Sequence, residues 1–225
     1  MPPAKQVTMN KKTTRSFQLH EAFPKDNRVA AAVLALCIAR EDLVFEFKGL
    51  ADDRLDIEKD ADPWTRRSYF IRRITVSLFN IKQLLEEKAL NDLLKSGHPE
   101  AKEYWREHKR KMMDNIEKLK PIRNKMAAHL DTDRMNMIID KYEGLRGEIT
   151  ITNLVDTATS YPLATHAAVY GCLDDDSDHE ASFRRLMKSL QAAHVAAIEA
   201  ADMVIGFYIH SYEVWERGTI VGNPT

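Results

Sequence analysis

Apolar residues recur at helical spacing along most of this chain, and the pattern predicts four long helices. From about Asn27 to Leu50 the run VAAAVLALCIA is apolar nearly all round, which predicts a helix buried on several sides. The charged stretch ADDRLDIEKDA breaks that pattern, and Asp62 and Pro63 then supply a start signal: a side-chain oxygen to cap amides, followed by a ring already set at helical φ. In the next helix Ile71, Ile74, Leu78, Ile81 and Leu85 keep a 3-4-3-4 spacing and form one packing seam, with continuation expected to about Leu94, where SGHP stops it.

A third helix is expected from about Pro99. It carries Trp105, Met112, Ile116, Leu119, Ile122, Met126 and Leu130 on one stripe, with a kink or restart at Pro121. Between Asp131 and Asp178 the periodicity weakens. DRMNMIIDKYEG suits a short helix, GEITITNLVDTATSY suits a strand or a Thr152/Asn153 cap with a helical turn, and LDDDSD suits a solvated loop. A last long helix is expected over about Glu180 to Arg217, with Leu190, His194, Ala197, Ala201, Val204 and Tyr208 on one face and many alanines that invite close approach. Four to five long helices with short or charged connections predict an all-α, up-and-down bundle. The expected organisation is a flexible basic tail over 1–26, one helical domain over 27–217 with irregular or short elements at 131–178, and a C-terminal tail over 218–225.

Composition agrees with a helical reading. The 8 glycines and 8 prolines in 225 residues argue against a turn-rich β-sandwich. A net charge of −1 provides no global attraction to nucleic acid or membrane, so polyanion binding would have to rest on local clustering. One such cluster exists: Lys102 to Lys125 holds nine basic residues (102, 106, 109, 110, 111, 118, 120, 123, 125) against four acids (103, 107, 114, 117). It fits either an electrostatic path for RNA or a solvated helix face with i,i+4 ion pairs.

Other chemistry finds little support. Cys37 and Cys172 sit in apolar surroundings without a CxxC, which fits a reducing cytoplasm. The opening segment lacks the apolar core of a signal peptide, and no run approaches the roughly 18 apolar residues of a membrane span, so a cytoplasmic location away from membranes is expected. No HExxH, His/Cys cluster, GxxxxGK[ST] or GxGxxG occurs, and neither a metal nor a nucleotide cofactor is expected. His194, on an apolar stripe, reads as a hydrogen-bonded core histidine.

The stretch KPIRNKMAAHLD, Lys120 to Asp131, carries the candidate chemistry. On a helical wheel centred on Leu119, Ile122, Met126 and Leu130, Arg123 falls about 60° to one side and His129 about 60° to the other. The two flank an apolar seam, so a groove between them needs a second helix. The alanines Ala127 and Ala128 leave that helix room to approach. A histidine near its free pKa can exchange a proton with the 2′-hydroxyl or the leaving 5′-oxygen of RNA. An arginine fork can hold the phosphate and stabilise its developing charge. The plain alternative is a helix end whose basic groups cap its last carbonyls.

RNKMAAH, with five residues between Arg123 and His129, resembles the signature of the HEPN superfamily, and the following LD resembles its abortive-infection branch. The resemblance implies a four- or five-helix bundle and a homodimer with the two motifs facing across the interface. It also implies metal-independent endoribonuclease activity in phage defence or as a toxin-antitoxin toxin, with an antitoxin or other defence protein as a possible partner. Carried onto this chain, Arg123 and His129 are the catalytic pair and Asn124 the orienting polar residue, with Lys118, Lys120 and Lys125 placed to hold RNA. A non-catalytic HEPN-like module that binds RNA or protein is the alternative. Asp131 stands where some HEPN toxins carry the tyrosine that an antitoxin modifies, which puts that mode of control in doubt.

Overall fold

A computed structural model describes residues 14–51, 63–95, 99–120 and 178–221, together with helical positions Asn136 and Ile139. In chain order the elements are β1 (Thr14–Ser16), α1 (Leu19–Ala22), α2 (Arg28–Ala51), α3 (Pro63–Glu86), α4 (Lys88–Lys95), α5 (Pro99–Lys118), α6 (His179–Ser211), α7 (Val214–Arg217) and β2 (Thr219–Val221). The described chain is therefore mostly helical, as its periodicity predicts. The helical state of Asn136 and Ile139 agrees with a helix in DRMNMIIDKYEG at those two positions.

Each long helix starts where its local chemistry permits. Asn27 caps α2, its side-chain oxygen accepting from the amides of Val29 and Ala30 at 3.0 and 3.1 Å. The helix α3 begins at Pro63; Asp62 lies outside the described residues. At the head of α6 the Asp178 carboxylate accepts from the Ala181 amide at 2.9 Å.

α2 runs antiparallel to both α3 and α6. Against α3, the Gly49 carbonyl accepts from Arg66 and Glu46 meets Arg73. Against α6, Phe47 meets His194, and Arg40 reaches Asp202 with a two-pronged contact of 2.8 and 3.1 Å. Gly49 gives the Phe70 ring room against α2, since a Cβ there would lie 2.3 Å from the ring tip and the ring would have to shift. The core joins the seam Ile71, Ile74, Leu78, Ile81 and Leu85 to Val33, Leu36 and Leu43 of α2 and to Leu190, Ala197, Ala201 and Val204 of α6. Each of these large aliphatic side chains contributes about 1.5–3 kcal/mol by leaving water. The alanines let α6 lie close to its neighbours, among them α2, α3 and α5.

The helix expected to run through to Leu94 is broken at Glu87. In an unbroken helix Leu94 would point about 180° away from Leu85. The break turns Leu90, Leu93 and Leu94 back into the core, and the Asn91 side-chain amide donates to the Glu86 and Glu87 carbonyls at 3.1 and 3.0 Å, satisfying the loose end of α3.

The last helix likewise stops short of Arg217. Glu213 adopts a left-handed conformation, φ 51° and ψ 32°, and redirects the chain into α7 and β2.

Both expected tails contribute to the fold. Within 1–26, residues 14–16 pair antiparallel with 219–221, which lie in the expected C-terminal tail. Arg15 donates to the Trp215 and Gly218 carbonyls at 2.7 and 3.3 Å while its guanidinium lies over the Trp215 ring. Tyr208 donates its hydroxyl to the Ala22 carbonyl at 2.8 Å and stacks on Phe23. These contacts are made to backbone groups and rings, so neither segment reveals its partner by hydrophobic period.

α6 is long and apolar enough to cross a membrane by length and composition alone, which no run was expected to be. Leu190, Ala193, Ala197, Ala200, Ala201, Val204 and Tyr208 are buried within the bundle, and the helix also carries Glu199 and Asp202, which pair with His108 and Arg40.

Candidate functional site

The helix leading to the RNKMAAH motif is held along its length. Trp105, His108, Met112, Ile116 and Leu119 are buried at successive intervals of three, four, four and three residues, the stripe expected from sequence with a histidine added to it. The His108 Nδ1 lies 2.9 Å from the Tyr104 carbonyl, and the Nε2 lies 3.1 Å from a Glu199 carboxylate oxygen of α6. Both partners are acceptors, so each contact is a hydrogen bond where the facing ring nitrogen carries a hydrogen. The Tyr104 ring lies 3.9 Å from it, centroid to centroid. This buried link between α5 and α6 escaped the sequence reading, although His108 stands three residues after Trp105 on the same face.

At the C-terminal end of α5 the Glu117 carboxylate lies between Lys82 of α3 at 2.9 Å and Lys120 at 3.5 Å. The Lys82 ammonium, followed by Lys120, holds that carboxyl below the usual range. The helix yields at Leu119, whose amide bonds back to the Ile116 carbonyl at 2.9 Å, and Lys120 is helical again. An interruption just ahead of Pro121 follows from the missing proline N–H and the crowding its ring imposes on the preceding turn.

The basic cluster of α5 divides into two parts. Lys111 pairs with Glu107 at 2.7 Å, an i,i+4 contact of the kind a solvated face makes, and the Lys109 ammonium lies over Trp105. Lys118 is exposed, and its Nζ lies 3.4 Å from the Asn115 side-chain oxygen, with no carboxylate partner among the described residues. Lys118 and Lys120 thus share one end of α5. Arg123, Asn124, Lys125 and His129 lie outside the described residues.

Two further titratable side chains are enclosed away from this end. Glu46 on α2 is buried; one carboxylate oxygen accepts from Arg73 Nε at 3.1 Å and the other is buried with no hydrogen-bond partner among the described residues. Burial pushes this carboxyl up, opposed by the Ser77 hydroxyl and the Arg73 guanidinium. His194 of α6 differs from expectation: it packs in the interior, but neither buried ring nitrogen has a hydrogen-bond partner among the described residues. Its ring instead stacks on Phe47 at 3.9 Å, so burial, and then the Arg40 charge, depress its pKa. Among the described residues no group of three or more His, Cys, Asp or Glu is placed to hold a metal ion.

Comparison with protein-family models, with curated proteins and with solved structures finds no match to this chain.

Proposed function

We propose that this chain is a metal-independent endoribonuclease of the HEPN type, acting in phage defence or as a toxin in the cytoplasm. The observation that carries the reading is the motif RNKMAAH, beginning at Arg123, five positions beyond the end of α5 at Lys118. The apolar stripe of α5 is buried as far as Leu119, which supports reading Ile122, Met126 and Leu130 as its continuation, with Arg123 and His129 on its two shoulders.

In this reading the chain forms a HEPN-like bundle of four to five long helices and pairs with a second copy of itself. His129 exchanges the proton of the 2′-hydroxyl or of the leaving 5′-oxygen, which is worth about 10²- to 10⁴-fold in rate. Arg123 holds the phosphate through its fork and stabilises the charge that builds on it, and Asn124 orients the pair. Lys118, Lys120 and Lys125 guide the RNA backbone. Of Lys118 and Lys120, Lys118 is the stronger candidate by its surroundings, because Lys120 shares its charge with Glu117.

The test is incubation of cellular RNA with the purified protein in EDTA, beside His129→Ala and Arg123→Ala. Cleavage by the native protein, lost in both variants, is expected. No cleavage by any of the three, or equal cleavage by all, ends the proposal. Retention of RNA without cleavage would point instead to a non-catalytic module that binds through the same groove.

A further inference from the structure

A cavity of about 430 Å³ opens between α2 and α3. Its apolar floor is formed by Ala35 and Ala39 of α2 and Leu84 of α3, with Ile38 beside them and 58% exposed. The two alanines are one turn apart, and small residues at that spacing let another helix approach closely. Phe45, 73% exposed, follows Ile38 by seven positions and so extends the same apolar face. Together they leave a groove shaped for a third helix laid against an antiparallel pair.

The charges of the groove are all of one sign. Asp42 lies at one end and Glu87 at the other, because α2 and α3 run antiparallel. Neither carboxylate has an ionic partner among the described residues, and no Lys or Arg lines the groove. They stand about two to three helical turns apart, some 10–15 Å. A second observation marks the Asp42 end. Glu46 is the next turn of α2, with a side chain 6% exposed and one carboxylate oxygen enclosed without a hydrogen-bond partner among the described residues. Burial raises the pKa of its carboxyl, and Ser77 and Asp42, which line the groove, act on it in opposite directions, Ser77 lowering it and Asp42 raising it. Asp42 and Glu46 therefore stand one turn apart on α2 beside an exposed apolar strip, with Arg73 paired to Glu46.

We propose that the α2–α3 groove docks a basic amphipathic helix of a partner protein, its apolar side on Ala35, Ala39 and Leu84 and two Lys or Arg side chains at Asp42 and Glu87. The assignment rests on charge complementarity and the small-residue floor, and is independent of Arg123 and His129.

The probe is a fluorescent, alanine-based helical peptide of about 18 residues with Arg at positions i and i+7 and Leu at i+3 and i+4, titrated with the full chain and read by anisotropy. A companion peptide carries Glu in place of both Arg. Saturable binding of the Arg peptide alone is expected. The pair Asp42→Lys and Glu87→Lys should weaken it about tenfold or more and confer binding on the Glu peptide. Both substitutions are at exposed positions, and unchanged circular dichroism shows that the fold survives. Ala39→Phe, which fills the floor, should abolish binding without altering charge. Three results overturn the proposal: no binding of the Arg peptide, equal binding of both peptides, or binding indifferent to the charge reversal. Equal competition by spermidine at matched charge overturns the helical occupant, and self-association abolished by the charge reversals assigns the face to a second copy instead.

Discussion

His194 lies flat against Phe47, ring centroids 3.9 Å apart and planes within 15°, with both imidazole nitrogens enclosed and unpartnered among the described residues. A neutral ring suits that site and a charged one does not, since burial and the nearby Arg40 both oppose protonation. The folded pKa is therefore below the unfolded value of about 6.5. Protons bind the unfolded chain first, so stability is full above about pH 6.5 and is lost as pH falls toward the depressed folded value. His194→Met keeps the volume and removes the orphaned nitrogens. It should raise stability by about 1 kcal/mol at pH 7.5, and its advantage should widen at pH 6.0 and 5.0. Urea midpoints at the three values measure this, and a gap that stays constant with pH would refute the neutral-ring account.

Arg40 and Asp202 join α2 to α6 through two N–H···O contacts, and Arg40 also reaches Glu41. The carboxylate is half exposed, so solvent screens much of the attraction. A double-mutant cycle with Arg40→Met and Asp202→Asn should return a coupling of about 0.5–1 kcal/mol at low salt. It should shrink on raising the salt to about 1 M, where the screening length is about 3 Å. A coupling independent of salt would mean that shape, not charge, holds the pair.

Tyr208→Phe removes one hydroxyl from a residue 1% exposed and leaves the Ala22 carbonyl without its donor. The expected loss is about 1–2 kcal/mol in chemical denaturation. Because the bond ties the segment before α2 to α6, amide exchange should accelerate around residues 19–23 before it does in the α3 seam. Uniform acceleration would show that the N-terminal segment and the core open together.

Asn91→Ala withdraws the amide that satisfies the Glu86 and Glu87 carbonyls. Water can replace part of this exposed contact, so a modest cost of about 1 kcal/mol is expected, seen as a lower thermal midpoint. An unchanged midpoint would assign the break at Glu87 wholly to the burial of Leu90, Leu93 and Leu94.

How much of this molecule is legible in its sequence depends on the range of the signal. Ile71, Ile74, Leu78, Ile81 and Leu85 announce a helix and its buried face, because the 3.6-residue turn writes itself into any amphipathic segment. The start signal at Asp62 and Pro63 is local in the same way, whereas the Asn27 cap of α2 is seen only in the structure. The phase slip between Leu85 and Leu94 was also present, but it carries no proline or glycine and reads as a continuing helix unless the angles are followed. Of the candidate site, Lys118 and Lys120 are found at one end of α5, while Arg123, Asn124, Lys125 and His129 lie outside the described residues.

By itself, then, the sequence determined the helical class, the position of the long helices and the stripe that each buries, all consequences of backbone geometry within a few turns. Only the tertiary structure decided which polar residues meet. Arg15 and the Trp215 carbonyl are separated by 200 positions, Arg40 and Asp202 by 162, and three-residue strands from opposite ends of the chain pair without any periodic signal of their own. It also decided that His108 finds a carboxylate across the helix contact whereas His194 and one oxygen of Glu46 find no partner among the described residues. The physical reason is that a periodic pattern states which face of a helix is buried, but the fate of a polar group on that face depends on the one residue opposite it.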